Sequence, residues 1–434
     1  MDCGVAGLTG RLRQRVTPSR TITLVPSPVA LRGATYRVAD LFSGAGGMSL
    51  GFHAHPDFAV VGAADAQIGK PSSKLGSLRC NGTYRANIGI DPLELDLAAV
   101  DPAVVREAWG LARGELDVLV ACPPCSGFSR TTAANHLRDD PRNSLVGRVA
   151  AYAAELRPRV VLMENARELV KGRQRHHLEG LADELDKLGY RVAAASHLLS
   201  RFGLPQLRER ALVVAVDAGL PLRTLEDLWE GREVRPSAIT VRRAISRLPA
   251  VPAGYAHPKD PTHVSPTFRQ DRTLHRMRAI PVDGGSWADL VGSEATAALL
   301  NPAQLKIIET GRWGSHPDVY GRMWWDEPAR TIKRECAHVG NGRYAHPQQH
   351  RLCTVREMAL LQGFPRRFKF DVSILGNAYR HIGDAVPPMI AYQLAGLTRW
   401  ILSGQEPDVG ALCLPGTSLR ASDIRQTAPA ELVA

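Results

Sequence analysis

A cysteine in a Pro- and Gly-rich loop, directly after a predicted strand, is the residue best placed to do chemistry. The strand Asp117–Ala121 leads into CPPCSGFSR, where Cys122 and Cys125 form a C-x-x-C pair. Open α/β sheets bind ligands at this carboxyl edge, and a thiolate is a good nucleophile where its pKa is lowered. Three interpretations stay open for this segment alone: a redox pair, a buried structural cysteine, or a nucleophile that adds to a pyrimidine ring.

A glycine-rich turn predicts a cradle for a nucleotide-like ligand. The first predicted strand ends in DLFSGAGGMSLGF, which begins at Asp40 and contains Gly44, Gly46 and Gly47. Glycine permits positive φ and lets a ligand approach the backbone closely. A plain tight turn is the alternative.

Two acids after the turn lie where predicted strands end, and each is a candidate for a contact with a nucleotide-like ligand. Asp65 comes after the second predicted strand and could accept hydrogen bonds from ribose hydroxyls. Asp96 stands where we expect a third strand to end, and it could accept from an adenine amino group. The alternative for each acid is a helix N-cap or a solvated loop carboxylate.

Short apolar runs alternate with helical patterns, which predicts a doubly wound α/β fold. The runs are rich in Val, Leu and Ala, as in strands that are buried on both faces. Strands alternating with helices indicate a mostly parallel sheet covered by helices on both faces. The predicted strands are Tyr36–Phe42, Phe58–Ala64, Asp117–Ala121, Arg159–Met163, Arg191–Leu198 and Ala211–Asp217.

Three helices are predicted from spacing and capping. Four leucines from Leu178 to Leu188 recur at intervals of three and four, and Gly189 follows them. Thr354 and Glu357 form a T-x-x-E capping box that opens a helix through Leu361. A last apolar helix is expected over Pro388–Leu402.

The chain length predicts two lobes, because 434 residues exceed one compact core. After about residue 222 the alternation stops, and many Pro, Gly, Arg and His residues follow. The predicted divisions are an N-terminal extension at 1–35, a catalytic and cofactor-binding domain at 36–221, an irregular basic lobe at 222–328, a return segment at 329–403 and a C-terminal tail at 404–434.

Composition restricts the partners and the compartment. The 54 Lys and Arg exceed the 43 Asp and Glu by a net charge of +11, which favours a polyanionic partner, with solubility as the alternative. Seven scattered cysteines argue against a disulfide framework, and no second pair or nearby His set joins Cys122 and Cys125 to complete a zinc site. No apolar stretch reaches the roughly 18 residues that span a bilayer. We expect a cytoplasmic protein.

Six segments, in order, resemble the motifs of the cytosine-5 DNA methyltransferase family, over about residues 36 to 400. Any one could arise by chance, but their joint order and spacing hardly could. The segments are DLFSGAGG, PPCSGFS, MENA at Met163–Ala166, FGLPQLRER at Phe202–Arg210, RLCTVREMALLQGFP at Arg351–Pro365 and IGDAVPP at Ile382–Pro388.

The resemblance implies a class I methyltransferase-like fold, S-adenosylmethionine as cofactor and a set of catalytic residues. Cys125 would be the nucleophile and Glu164 the acid that engages the cytosine ring. Arg210 would donate to the exocyclic oxygen, Arg208 would order a loop or hold phosphate, and Asn165 would orient the loop or contact the amino group of the base.

The family's motifs and the glycine turn together imply the binding residues. The expected cofactor-binding residues are Asp40, Phe42, Ser43, Gly44, Gly46, Gly47, Asp65, Asp96, Pro124, Asp384 and Ala385. The expected DNA-contacting residues are Ser126, Gln206, Arg269, Arg272, Arg276 and Arg278, of which the four arginines lie in the run TFRQDRTLHRMR. A solvated helix face is the alternative for any single arginine.

Three positions depart from the usual family pattern. Ser126 stands where Gln is frequent, Ala166 where Val is common, and Asp384 where Asn is usual. The last change places a negative charge near the cofactor and should affect cofactor affinity before reaction type.

The resemblance further implies a monomeric bacterial modification enzyme in the nucleoid that acts on double-stranded DNA, with a cognate restriction endonuclease acting separately. Residues 222–328 would be its target-recognition domain. Three other functions stay open: the same chemistry on RNA, a thiol redox protein that uses Cys122 and Cys125, and a catalytically dead DNA-binding module.

Overall fold

A computed structural model describes residues 35–68, 77–124, 144–173, 175–268, 270–292, 296, 298–313 and 318–427. The strands among these residues are β1 Tyr36–Leu41, β2 Phe58–Ala64, β3 Val118–Ala121, β4 Val160–Ala166, β5 Tyr190–Leu198, β6 Gln206–Leu207, β7 Glu209–Asp217, β8 Arg232–Val234, β9 Ala329–Arg330 and β10 Ile424–Gln426.

Six strands form the central sheet, in the order β2-β1-β3-β4-β7-β5. β1 pairs in parallel with β2 and β3, and β3 pairs in parallel with β4. β7 runs antiparallel to both β4 and β5, so it is the reversed strand of a mostly parallel sheet. The predicted fold class and all six predicted strands are confirmed: Phe58–Ala64 matches at both ends, and the ends of the other strands lie within three residues of the prediction.

The described residues also form α-helices. They are α1 Gly47–His53, α2 Cys80–Ile88, α3 Pro102–Ala108, α4 Leu145–Leu156, α5 Glu168–Lys171, α6 His176–Lys187, α7 Leu225–Leu228, α8 Val241–Ile245, α9 Asp271–Ala279, α10 Pro302–Thr310, α11 Val355–Leu361, α12 Leu375–Asp384 and α13 Pro388–Ser403. The three predicted helices correspond to α6, α11 and α13. The capping box of α11 forms as expected, because Thr354 accepts from the backbone of Glu357 and the Glu357 carboxylate accepts from the backbone of Thr354.

Both faces of the sheet are buried, which explains the apolar composition of its strands. Within β3, Val118 and Val120 belong to one hydrophobic core, whereas Leu119 and Ala121 belong to the other. Successive side chains of a strand point to opposite faces, so each strand contributes to both cores. This rigid double layer positions the ends of the strands where the candidate site lies.

The expectation of a strand that ends at Asp96 is wrong. Leu93 forms a single parallel bridge with Ala64 at the edge of the sheet, and no strand continues from it. Pro92 just before it has no N–H to extend the pairing. Asp96 is exposed, and its carboxylate accepts a hydrogen bond from the backbone N–H of Ala98 at 3.0 Å.

The beginning of segment 222–328 and the C-terminal residues pack together on the sheet domain. β8 pairs antiparallel with β10, and α7 contacts α13. Leu412, Leu414 and Leu419 are buried, so residues 404–427 lie against the rest of the chain. The predicted extension at 1–34 and the end of the tail at 428–434 lie outside the described residues.

None of the helices in the described ranges combines the length and the apolar character that crossing a bilayer requires.

Candidate active site

A buried acid–guanidinium pair lies where β4 ends and β7 begins. The antiparallel register places Glu164 opposite Leu212 and Ala166 opposite Arg210. Arg210 Nε is 2.9 Å from Glu164 Oε1, and both side chains are largely buried, with 16% and 9% of their surfaces exposed. Two predicted catalytic residues are therefore brought into direct contact.

The environment of Glu164 favours its protonated form. Burial raises the pKa of this carboxyl, while the charges of Arg210 and Arg208 oppose that rise without cancelling it. A carboxyl of this kind can hold a proton closer to neutral pH than an exposed glutamate, and it can then donate a hydrogen bond.

Asn165 holds the loop that follows β3. Its Nδ2 donates to the carbonyl oxygen of Pro123 at 3.1 Å, and its Oδ1 accepts from the N–H of Ala166 at 2.8 Å. Of the two predicted roles, the structure displays loop orientation. Pro124 is exposed at the end of the described part of this loop, and Cys125 and Ser126 lie outside the described residues.

Arg208 is a buried arginine that hydrogen-bonds to the backbone of distant segments. Its guanidinium is 1% exposed and donates to the carbonyl oxygens of Ile332 at 3.0 Å, Gly383 at 3.3 Å and Ala385 at 3.2 Å. These contacts join β6 and β7 to two distant segments of the chain. Of its two predicted roles, the structure supports ordering rather than phosphate binding.

Gln206 is not accessible to DNA in this structure, which corrects its predicted role as a DNA contact. It is completely buried: its Nε2 donates to Gln362 Oε1 at 2.7 Å, and its Oε1 accepts from the N–H of Ile332 at 2.9 Å. The reason is the direction of the side chain, because β6 turns Gln206 into the core. Its amide groups are used to fix the return segment.

The glycine-rich turn adopts the strained backbone that its sequence predicts. Gly44 and Gly46 have φ values of 51° and 91°, and Phe42 also has a positive φ of 59°. Asp65 secures the turn, since its Oδ2 accepts from the N–H of Gly44 at 2.9 Å and its Oδ1 accepts from the N–H of Gln67 at 2.6 Å. This contact with the turn was not predicted, and the predicted contact of Asp65 with ribose hydroxyls stays a prediction.

Asp40 and Ser43 place buried polar atoms beside the turn. Asp40 Oδ2 accepts from the Ser49 hydroxyl at 2.5 Å, and that hydroxyl accepts from Tyr84 at 2.7 Å. Asp40 Oδ1 and Ser43 Oγ are buried without a hydrogen-bond partner among the described residues. Burial raises the pKa of Asp40 to about 7. Such atoms suit a ligand that brings donors or positive charge.

Ser49 and Tyr84 were not anticipated as parts of this site. Ser49 lies one turn into α1 and Tyr84 lies on α2, and both are buried. A polar residue on the inner side of the first turn after a glycine loop was the available signal for Ser49. Nothing in the sequence indicates that Tyr84 reaches it.

Gly47 serves packing rather than ligand approach. A Cβ on Gly47 would lie 2.4 Å from the carbonyl oxygen of Val386 and 3.0 Å from the Cβ of Ala385. The predicted cofactor residue Ala385 therefore meets α1 at this point. The last motif closes onto the glycine-rich turn because Gly47 has no side chain.

We expect Gly47→Ala to destabilise the protein by about 1–3 kcal/mol, the usual cost of overpacking. The added methyl group would have to displace backbone rather than a flexible side chain. Chemical denaturation measures the change. Gly82→Ala is the matched control, because the space around Gly82 in α2 is open. A Gly47→Ala protein as stable as the control would contradict this account.

Asp384 is paired in the structure. Arg334 Nη1 lies 2.6 Å from its Oδ2, and more than a third of each side chain is exposed. The negative charge that distinguishes this position from the family pattern is therefore neutralised by a nearby cation.

The predicted DNA-binding arginines separate into two groups. Arg272 donates to the carbonyl oxygens of Ala298 at 2.5 Å and Leu300 at 2.7 Å. Arg276 is 3% exposed, donates to Leu299 at 2.7 Å and lies over the ring of Tyr320. This corrects the prediction for Arg276, whereas Arg272 is exposed and its DNA contact stays a prediction.

The spacing of Arg272 and Arg276 explains why both donate to residues 298–300. Residues four apart share one helix face, and this face of α9 packs on that segment. Arg278 is exposed, and Arg269 lies outside the described residues.

The sequence is similar to those of known cytosine-specific DNA methylases. The family model described as C-5 cytosine-specific DNA methylase matches residues 36–398. Type II methylase M.HgiDII of Herpetosiphon aurantiacus is 29% identical over 370 residues, which cover 85% of this chain and 96% of that protein. DNA (cytosine-5)-methyltransferase 1 of Mus musculus is 27% identical over 83% of this chain and 28% of its own length.

Solved structures show the same fold. A putative DNA modification methyltransferase encoded within an Escherichia coli prophage matches with a TM-score of 0.56 and 21% identity. The alignment covers 85% of this chain and 99% of that one. Dnmt2 methyltransferase of Schizosaccharomyces pombe matches with a TM-score of 0.50 and 16% identity, over 85% and 99% of the two chains.

Proposed function

The chain belongs to the C-5 cytosine-specific DNA methylase family and is a DNA cytosine-5 methyltransferase, and from this premise we propose its mechanism. It transfers a methyl group from S-adenosylmethionine to carbon 5 of a flipped-out cytosine in a specific duplex sequence. A covalent bond from Cys125 to carbon 6 activates the ring. The observation that carries this proposal is the buried Glu164–Arg210 pair, at the same sheet edge as the loop that leads to Cys125.

The chemistry explains why these residues are needed. Carbon 5 of cytosine is a poor nucleophile, but addition of the Cys125 thiolate at carbon 6 turns it into an enamine-like carbon. Protonated Glu164 donates to ring nitrogen 3 and relieves the charge that develops there. Arg210 donates to the exocyclic oxygen. After methylation, a base, for which a water molecule suffices, removes the proton from carbon 5, and elimination releases Cys125.

The residues around the glycine-rich turn fit S-adenosylmethionine. This group supplies an electrophilic methyl on a sulfonium and also carries an ammonium. Carboxylates complement both positive charges, and Asp40 has an unpartnered buried oxygen beside the turn. Asp65 remains our candidate for the ribose hydroxyls and Asp96 for the adenine amino group, with Phe42 and Pro124 at the edges of the pocket.

Base flipping follows from the burial of the catalytic pair. Glu164 and Arg210 lie inside the protein, so a cytosine stacked in a duplex could not reach them. The target must leave the helix, and something must recognise the sequence around it. We propose residues 222–328 as the target-recognition domain, in which the buried Arg276 stabilises the segment and the exposed Arg272 and Arg278 remain candidates for contact with DNA.

The setting that fits best is a bacterial modification system. The match to M.HgiDII extends over nearly the whole of that Type II methylase. We propose that this protein acts as a monomer in the bacterial nucleoid and protects DNA from a cognate restriction endonuclease that acts separately.

Bisulfite sequencing of DNA from cells that express the protein tests the proposal. Methylated cytosines should appear within one sequence context and be absent when the inactive Cys125→Ser variant is expressed. Methyl transfer to duplex DNA and to tRNA should be compared with the purified protein, and we expect DNA to be the substrate. Unmodified genomic DNA beside a folded, well-expressed protein would refute the proposal.

We expect the Arg334–Asp384 pair to set how well the cationic donor is distinguished from its neutral product, S-adenosylhomocysteine. Arg334→Ala leaves Asp384 uncompensated, so binding of the donor relative to the product should improve by about two- to five-fold, from ordinary surface electrostatics. Titration calorimetry with both ligands measures the ratio. The double variant Arg334→Ala with Asp384→Asn should return this ratio to that of the unmodified protein. The same ratio in the unmodified protein, the single variant and the double variant would contradict a role of the pair in this discrimination.

A further inference from the structure

A short strand brings an exposed arginine to the catalytic edge. β9 pairs in parallel with β6, and the register places Arg330 opposite Leu207. β7 begins directly after β6 and carries Arg210, which contacts Glu164. Arg330 is thus anchored beside the strand that supplies the catalytic guanidinium.

The side chain of Arg330 points away from the core. The preceding residue Ala329 is paired with Gln206, and both are buried, at 2% and 0% exposure. Side chains alternate between the two faces of a strand, so Arg330 faces outward. Its side chain is exposed, in agreement with this direction.

Arg330 shares an aromatic ring with a second arginine. Its guanidinium carbon lies over the ring of Trp324, 5.4 Å from the centroid, and that of Arg343 lies 3.8 Å from it. Arg343 is neutralised by Asp318, with Nε 2.9 Å from Oδ1. Arg330 forms no ion pair with any residue in the described ranges. One positive charge therefore remains uncompensated at this surface.

The ring under Arg330 is held rigidly. Gly284 has a φ of 97°, and a Cβ there would lie 1.9 Å from Trp324 Nε1, so only glycine allows the indole to occupy this place. Arg343 Nη1 donates to the carbonyl oxygens of Gly284 at 2.6 Å and Arg322 at 2.8 Å. A fixed platform reduces the entropy that Arg330 would lose on binding a ligand.

We propose that Arg330 is a positioning residue that binds a backbone phosphate of the duplex beside the extruded cytosine. This inference rests on the proposed function. A guanidinium is suited to phosphate by its charge and its planar set of donors. Lys333 is exposed a few residues further along and adds positive charge to the same segment. The contact would hold the DNA in register without reading its sequence.

The test measures duplex binding by fluorescence anisotropy between 50 and 200 mM salt. For Arg330→Ala, the slope of log affinity against log salt should become shallower by about 0.9, the value for one lost phosphate contact. The loss of affinity should be equal on the target sequence and on a scrambled duplex. Arg330→Lys should retain most of the slope.

Arg113→Ala is the matched control. Arg113 is exposed and lies before β3, at the sheet edge opposite the catalytic one, where it donates to the carbonyl oxygen of Ala154. Trp324→Leu should weaken binding while leaving the slope close to that of the unmodified protein, because the charge is kept and only its platform is lost.

Two results would overturn the inference: a slope for Arg330→Ala equal to that of the control, or a loss confined to the target sequence, which would mean base reading. Methyl transfer by the unmodified protein is measured on the same duplexes. Its absence together with a changed slope would count against the proposed function and leave the phosphate contact standing.

Discussion

Methyl transfer should disappear when Cys125 is replaced by serine. The hydroxyl of serine is far less acidic than a thiol, so no adequate nucleophile would reach carbon 6. The expected loss exceeds about 10⁴-fold, as for other enzymes that lose their nucleophile. Incorporation of labelled methyl groups into duplex DNA measures it, and binding of DNA and cofactor should persist, which separates lost chemistry from lost folding.

Cys122→Ser is the control for this variant. It changes the other sulfur of the C-x-x-C pair, which lies at the end of β3, where its N–H donates to the carbonyl oxygen of Leu41. A methyltransferase needs only Cys125, so Cys122→Ser should keep most of its activity. A protein in which both substitutions are equally damaging would favour the thiol redox alternative.

Glu164→Gln should lower kcat by about 10²- to 10⁴-fold, the usual contribution of a general acid. Glutamine can donate a hydrogen bond to ring nitrogen 3, but it cannot transfer a proton. The substitution should also change the pH profile. In the unmodified protein the protonated Glu164 is the active form, so kcat falls as pH rises through its pKa, and burial moves that fall to higher pH. The variant should lack this decline with rising pH.

Glu209→Gln provides the comparison. Glu209 begins β7 next to Arg210, and hydrogen bonds from Arg167, Lys171 and Ser196 lower its pKa to about 2. It is ionised over the whole working range, so its replacement should leave the decline of kcat with rising pH in place. A decline that survives in Glu164→Gln would show that another group titrates there.

Local signals in the sequence were sufficient to predict the sheet and several helices. Runs of Val, Leu and Ala marked strands that are buried on both faces, and the pair Thr354 and Glu357 marked the start of α11 because both halves of a capping box are close in sequence. The order of the motifs indicated the family. The strands and the capping box depend on residues that are close in sequence, and the family assignment depends on the order of its motifs.

The roles of individual side chains were harder to predict, because they depend on distant contacts. Gln206 and Arg208 come from one motif, yet they bind residues more than a hundred positions away, at Ile332, Gln362 and Gly383. Nothing within the motif says that these groups are used internally. The same holds for Arg276, whose helix face is covered by residues 298–300.

The candidate cofactor edge was predicted in outline and refined by packing. The glycines predicted a turn with positive φ, which the structure has, whereas the hydrogen bond from Gly44 to Asp65 was found only in the structure. The sequence could not separate Gly44, which supplies an unusual backbone angle, from Gly47, which makes room for Val386. The strand expected to end at Asp96 is reduced to a single bridge at Leu93, because Pro92 has no N–H with which to extend the pairing.

The central claim is that a sulfur atom of the protein bonds to the pyrimidine during catalysis, and trapping that bond tests it most directly. A duplex in which the target cytosine carries fluorine at carbon 5 has no proton to lose there, so elimination cannot release the enzyme. With S-adenosylmethionine present, mass spectrometry should find the DNA fragment bound to the peptide that contains Cys125. A protein that methylates ordinary DNA but forms no such adduct, or forms it through another residue, would contradict the mechanism.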